Sequence, residues 1–215
     1  MIKILPLTIT VAYFVACVLI GVYFRKRAAT EEDYWVAGRR VGTVLNGLAL
    51  MAVVSSAATF LGFPALGYKF GLPLAMCTAG GPAGYLLFML LFASPFRRSE
   101  SFSIIDFLGK RYRSPVVNVA SSLITIFFYV AFIVPQLLGA GLVSHYLLGI
   151  PAHWGIIACG LIFALYVALG GMWAITWTDA LQGFMLVFMM AVMGGFCVAH
   201  FGGWDPLWEA GIKAH

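Results

Sequence analysis

Charge is what this chain has least of. Of its 215 residues only 8 are acidic and 13 are Lys or Arg, for a formal balance of +5. Charged residues make up 10% and hydrophobic ones 62%, where a soluble domain carries about 25% and about 45–50%. A water-soluble fold of this length has too little interior to hide so much apolar surface, which excludes a soluble enzyme. The same richness excludes a disordered chain. Cysteine is sparse as well. Cys17, Cys77, Cys159 and Cys197 fall singly in apolar stretches, without the spacing of a metal or redox motif. No acid interrupts the long apolar runs, so an acid-based proton relay lacks its groups. No nucleophile, base and acid converge, so nothing supports catalysis or an organic cofactor.

What the chain does have is uninterrupted apolar length. A hydrocarbon core about 30 Å thick takes about 20 residues of helix. Residues 4–24, 41–68, 70–96, 114–178 and 180–204 contain no Asp, Glu, Lys or Arg. The fourth run is too long for one helix, and Gly149-Ile150-Pro151 supplies a turn near its middle. The expectation is an all-α polytopic membrane protein with six spans, at 4–24, 43–67, 73–96, 116–147, 154–173 and 180–201. Charges follow the first run rather than precede it, so it is expected to stay as a helix and not to be cleaved as a signal.

Alternating the ends gives one side Arg25, Lys26, Arg27, Arg39, Arg40, Arg97, Arg98, Lys110, Arg111 and Arg113. The other side holds Lys3, Lys69 and Lys213. The positive-inside bias then places the N-terminus outside the cytoplasm, in a plasma (inner) membrane protein. The basic excess is thus explained by a bilayer, with no need for nucleic acid. All six Trp fall at or beyond predicted span ends, as an interfacial belt requires.

Helix breakers inside a span are costly in lipid and point to a cavity. The second span contains Ser55-Ser56-Ala57-Ala58-Thr59-Phe60-Leu61-Gly62-Phe63-Pro64. Broken helices are one way transporters build ion and solute sites at the membrane midplane. Close packing of two helices through small residues accounts for the same composition, so both readings stand at this point. In the third span, Thr78 to Gly84 reads as close packing with a kink at Pro82. In the fourth, Gln136 after Pro135 is a buried amide in need of a partner, either a neighbouring helix or a substrate. Between the last two spans, Gly170-Gly171 reads as a helix stop, followed by an interfacial loop with Trp173 and Trp177. Thr178 or Asp179 then caps a new helix, with Asp179 and Gln182 at capping-box spacing.

At that loop the sequence resembles a known family. Gly170-Gly171, Ala174-Ile175, Trp177-Thr178-Asp179 and Gln182 look like the signature of the sodium:solute symporter family. Asp33 to Arg39 resembles its first inner loop and Ser56 to Tyr68 its first broken core helix. Phe92 to Tyr112 and Gln136 to Tyr146 look closest to its cation/acetate, short-chain monocarboxylate branch. The resemblance implies a leucine-transporter-type fold, here the extra first helix and the first inverted repeat. It implies a sodium ion held by the carbonyls of Ala52 and Ser55 with Ser56 beside them. It also implies substrate contacts near Thr59 and Thr78, to which the burial argument adds Gln136. Val54 takes a place held by an acid in proline-type members, which speaks against a simple proline carrier.

The family's later sodium-binding hydroxyls have no counterpart here. The chain is therefore expected to be the front portion of a longer transporter whose second repeat lies beyond His215. The partners implied are sodium and a small carboxylate. The alternatives are the membrane module of a transporter-fused signalling kinase, and symport of proline, pantothenate or a sugar.

Overall fold

The computed structural model describes residues 4–55, 58–71 and 80–213. Every element among them is helical: α1 (Ile4–Phe24), α2 (Glu31–Val36), α3 (Thr43–Val54), α4 (Phe63–Phe70), α5 (Gly80–Arg98), α6 (Ile104–Tyr112), α7 (Pro115–Val143), α8 (Ala152–Phe201) and α9 (Trp204–Lys213). A wide π turn, Ala58–Gly62, leads into α4, and a second, Ser144–Leu148, continues α7. Three helical stretches are long and apolar enough to cross a bilayer: Ile4–Phe24, Pro115–Leu148 and Ala152–Phe201. With charge so scarce and leucines, phenylalanines and valines left exposed along these helices, the protein is an all-α membrane protein.

At 50 residues, α8 would run about 75 Å if straight, more than twice the hydrocarbon thickness. It does not run straight. Gly171 has φ 53° and ψ −149°. Tyr166 lies against Thr178, although a straight helix would hold them about 18 Å apart. Ile162 and Gln182 likewise line one cavity. The helix folds back on itself as two antiparallel limbs, 152–170 and 172–201. A side chain at Gly171 would meet the Tyr34 carbonyl at 2.7 Å, with the positive φ as a second obstacle. The inner helix α2 is thereby seated on the reversal. Its own start is capped by Thr30, which accepts the Asp33 N–H (3.1 Å) and donates to the Asp33 carboxylate (2.8 Å).

This corrects the expected loop around Trp173 and Trp177 and the expected cap at Thr178, Asp179 and Gln182. One glycine reverses the chain, so the following residues remain helical. Thr178 is fully buried, and its hydroxyl turns back to donate to the carbonyls of Ala174 (3.0 Å) and Ile175 (2.9 Å) on its own helix. Gln182 donates instead to the Tyr13 hydroxyl on α1.

The limbs of α8 form the centre against which α1, α3 and α7 pack. The buried heart is Cys17, Tyr166 and Ala174, with Tyr13, Ile20, Ile162 and Val167 packed around it. Gly183 brings the α8 backbone against Leu48 of α3, the close approach that small residues permit in membranes. At the charge-rich end, Phe24 stacks with Trp173 and Trp177 (ring centroids 5.9 and 6.0 Å) and Arg27 lies over it. There Arg39 pairs with Glu32 (3.2 Å) and donates to the Glu100 carbonyl (2.8 Å), joining two loops at one face. The described side chains of α5 from 83 to 95 are all exposed.

Candidate functional site at the interrupted helix

The second apolar run does not form one helix. Its regular part stops at Val54, and Ser55 leaves helical space with φ −85° and ψ 70°. The chain is helical again from Ala58, but with the wider π repeat, before α4 resumes ordinary geometry with Pro64 in its first turn. In a regular helix the Val54 carbonyl would accept the N–H of residue 58. Here it accepts the hydroxyl of Thr59 at 2.9 Å. A side-chain hydroxyl thus substitutes for a ladder bond at the edge of the interruption. Ala52 and Ser55, both half-buried, lie on the final turn and at the break itself.

A cavity of about 780 Å³ opens beside this break. It lies between α1, the far end of α7 with its π turn, and both limbs of α8. Tyr13, Ser55, Ser144, Cys159, Gln182 and Met185 are among its walls. Among the described residues no Asp, Glu, Lys, Arg or His lines it, and its hydroxyl and amide side chains are those of Thr10, Tyr13, Ser55, Ser144 and Gln182. Four of these five are engaged. Thr10 donates to the Pro6 carbonyl (2.9 Å), Ser144 to that of Ala140 (2.8 Å), and Gln182 to Tyr13. The Ser55 hydroxyl makes no hydrogen bond among the described residues. A small polar group therefore remains unspent where the helix is interrupted and the wall is open.

The other expected site residues are scattered around this feature. Gln136 is half-buried on α7, one turn before Ala140. Ser56 and Thr78 lie outside the described residues. Gly170 and Gly171 form the reversal of α8, Trp177 stacks on Phe24, and Thr178 is buried against Tyr166. Asp179 is half-buried beside Tyr166 and Cys17, without a hydrogen bond or ion pair among the described residues. Gln182 alone of that signature reaches the cavity. Among the described residues no three His, Cys, Asp or Glu side chains converge as a metal cluster. A hard cation here would be met by carbonyl and hydroxyl oxygens.

Two residues that build the site have no place in the sequence-based expectation, Tyr13 and Ser144. Tyr13 carried a signal: a phenolic hydroxyl in the middle of an apolar span needs a partner within the protein. Ser144 carried none, since its position on the cavity wall depends on the π turn.

No solved structure matches the chain. The model of the sodium:solute symporter family matches residues 34–215. That match begins within α2 and takes in the interrupted helix, the cavity walls on α7 and α8, and the reversal at Gly171. It covers well over half of the residues, so the chain belongs to the sodium:solute symporter family.

Proposed function

We propose that this protein acts in sodium-coupled symport of a small organic solute, a short-chain monocarboxylate such as acetate, across the cell membrane. The observation that carries the reading is the interruption at Ser55, with an unspent hydroxyl facing a cavity. In the proposed mechanism the carbonyls of Ala52 and Ser55, with Ser56, hold sodium as a partial shell. The half-helix beginning at Ala58 offers its N–H groups to the solute carboxylate, since helix starts favour anions. Thr59 exchanges its bond to Val54 for the solute, and Thr78 and Gln136 complete the polar contacts. A cavity wall without charged side chains among the described residues suits this arrangement, because no fixed acid there competes with the solute for the cation.

Coupling requires that sodium bind more tightly to the conformation that also accepts solute. Couplings between two sites typically amount to about 1–3 kcal/mol. The test is uptake of labelled acetate by cells expressing the protein, with and without an imposed sodium gradient. The expected result is gradient-driven uptake that falls in Thr59→Val while the protein still reaches the membrane. Equal uptake with and without the gradient would remove coupling. Sodium-driven uptake of proline, pantothenate or a sugar, with no uptake of acetate, would remove the carboxylate.

A further inference from the structure

The charge-rich end of the bundle carries a second concavity, remote from the interrupted helix. Helix α6 joins the end of α5 to the start of α7, so both its ends belong to one membrane face. Its residues Ile104, Ile105, Leu108 and Tyr112 fall on one side of the helix, with Asp106 and Lys110 one turn apart on the other. Such a helix lies along a bilayer surface with its apolar side in the acyl region. Ile104 and Tyr112 are exposed, as that placement requires.

Between the polar side of α6 and the first turns of α7 is a groove of about 370 Å³. Its walls include Asp106, Lys110, Arg113, Ser114 and Asn118. Gly109 lets α6 approach the Asn118 amide; a Cβ there would sit 3.4 Å from Oδ1.

The charges in the groove do not cancel. Asp106 is held by Lys110 (2.9 Å) and accepts the Phe102 N–H (3.1 Å), so the acid and one base neutralise each other. Among the described residues Arg113 has no ion pair, and the Ser114 hydroxyl and Asn118 amide make no hydrogen bond. Arg97 and Arg98, exposed at the end of α5, add to the positive field. An unopposed guanidinium with two unspent polar groups in one groove fits an oxyanion, and guanidinium meets phosphate in bidentate geometry. The apolar side of α6 dips into the same leaflet, so a phosphate at that height is already supplied by lipid. We propose that this groove binds the phosphate of an anionic phospholipid headgroup.

The test uses the purified 215-residue chain in detergent, titrated with phosphatidylglycerol, with phosphatidylcholine or with inorganic phosphate. The readout is the thermal midpoint followed by tryptophan fluorescence. Phosphatidylglycerol is expected to raise the midpoint and phosphatidylcholine to leave it unchanged. Arg113→Gln is expected to weaken the apparent affinity for phosphatidylglycerol about fivefold, the factor one basic side chain contributes at an anionic surface. Arg25→Gln, at the same end of the bundle but outside the groove, is expected to retain that affinity. Asn118→Ala provides a second groove variant should Arg113→Gln fail to fold. Equal stabilisation by both lipids, or equal loss in the Arg25 and groove variants, would overturn the proposal. Stabilisation by inorganic phosphate matching that by phosphatidylglycerol would overturn the lipid as its ligand.

Discussion

Tyr13 and Gln182 stand 169 positions apart, and their hydrogen bond is the polar tie between the first helix and the returning limb of α8. Within a membrane such a bond is worth about 0.6 kcal/mol on average, because partners are also found in the unfolded state. Tyr13→Phe and Gln182→Leu are each expected to lower stability by about that amount. The double variant should cost less than the sum in a denaturation cycle in mixed micelles. Gly171→Ala is a harsher change. Its Cβ would have to occupy space taken by the Tyr34 carbonyl, at a backbone angle that costs about 1–3 kcal/mol for a non-glycine residue. Gly194→Ala, with nothing within 4 Å, should leave the same unfolding curve in place. At this scale the sequence was partly readable. Ser55 stood out because hydroxyls, Gly and Pro cluster after a plain apolar stretch, whereas Thr178 looked like a helix cap until its burial showed the hydroxyl folded back onto its own helix.

Elements were legible where physics is one-dimensional. An apolar run of bilayer length has to be helical, since its backbone groups can find partners nowhere else. Turns were not legible to the same degree. Trp173 to Asp179 has the polar and aromatic look of a loop, yet Gly171 alone reverses the chain and leaves them helical. Helix α6 shows a further element-level property. The Lys110 ammonium, with the Phe102 N–H and Ser101 adding to it, holds the Asp106 carboxyl below its ordinary value of 3.8. A depressed acid stabilises the folded form above its unfolded value and loses that contribution as pH falls through the folded one. Protection of the 104–112 amides, taken relative to their intrinsic exchange rates, is therefore expected to fall on acidification, with the change starting near pH 3.8 and finishing below it. Asp106→Asn should abolish that dependence and exchange faster at neutral pH.

For the molecule as a whole, sidedness is the property most open to direct measurement. The charge-rich face holds Arg39, Glu100 and Arg111, and the opposite face holds the turn at Gly149 and Pro151. If the N-terminus lies outside, as the charge bias leads one to expect, His153→Cys should react with a membrane-impermeant maleimide in intact cells. Arg111→Cys is expected to react only after permeabilisation, and the unaltered chain serves as the background for its native thiols. The opposite pattern would invert the proposed orientation. The reversal at Gly171 also has a consequence for how this chain is made. A connection one residue long leaves no hydrophilic segment for the insertion machinery to retain or to push across separately. Residues 152–201 are therefore expected to enter the lipid as a paired hairpin in one event, so that a lesion keeping either limb out of the bilayer would also strand the other.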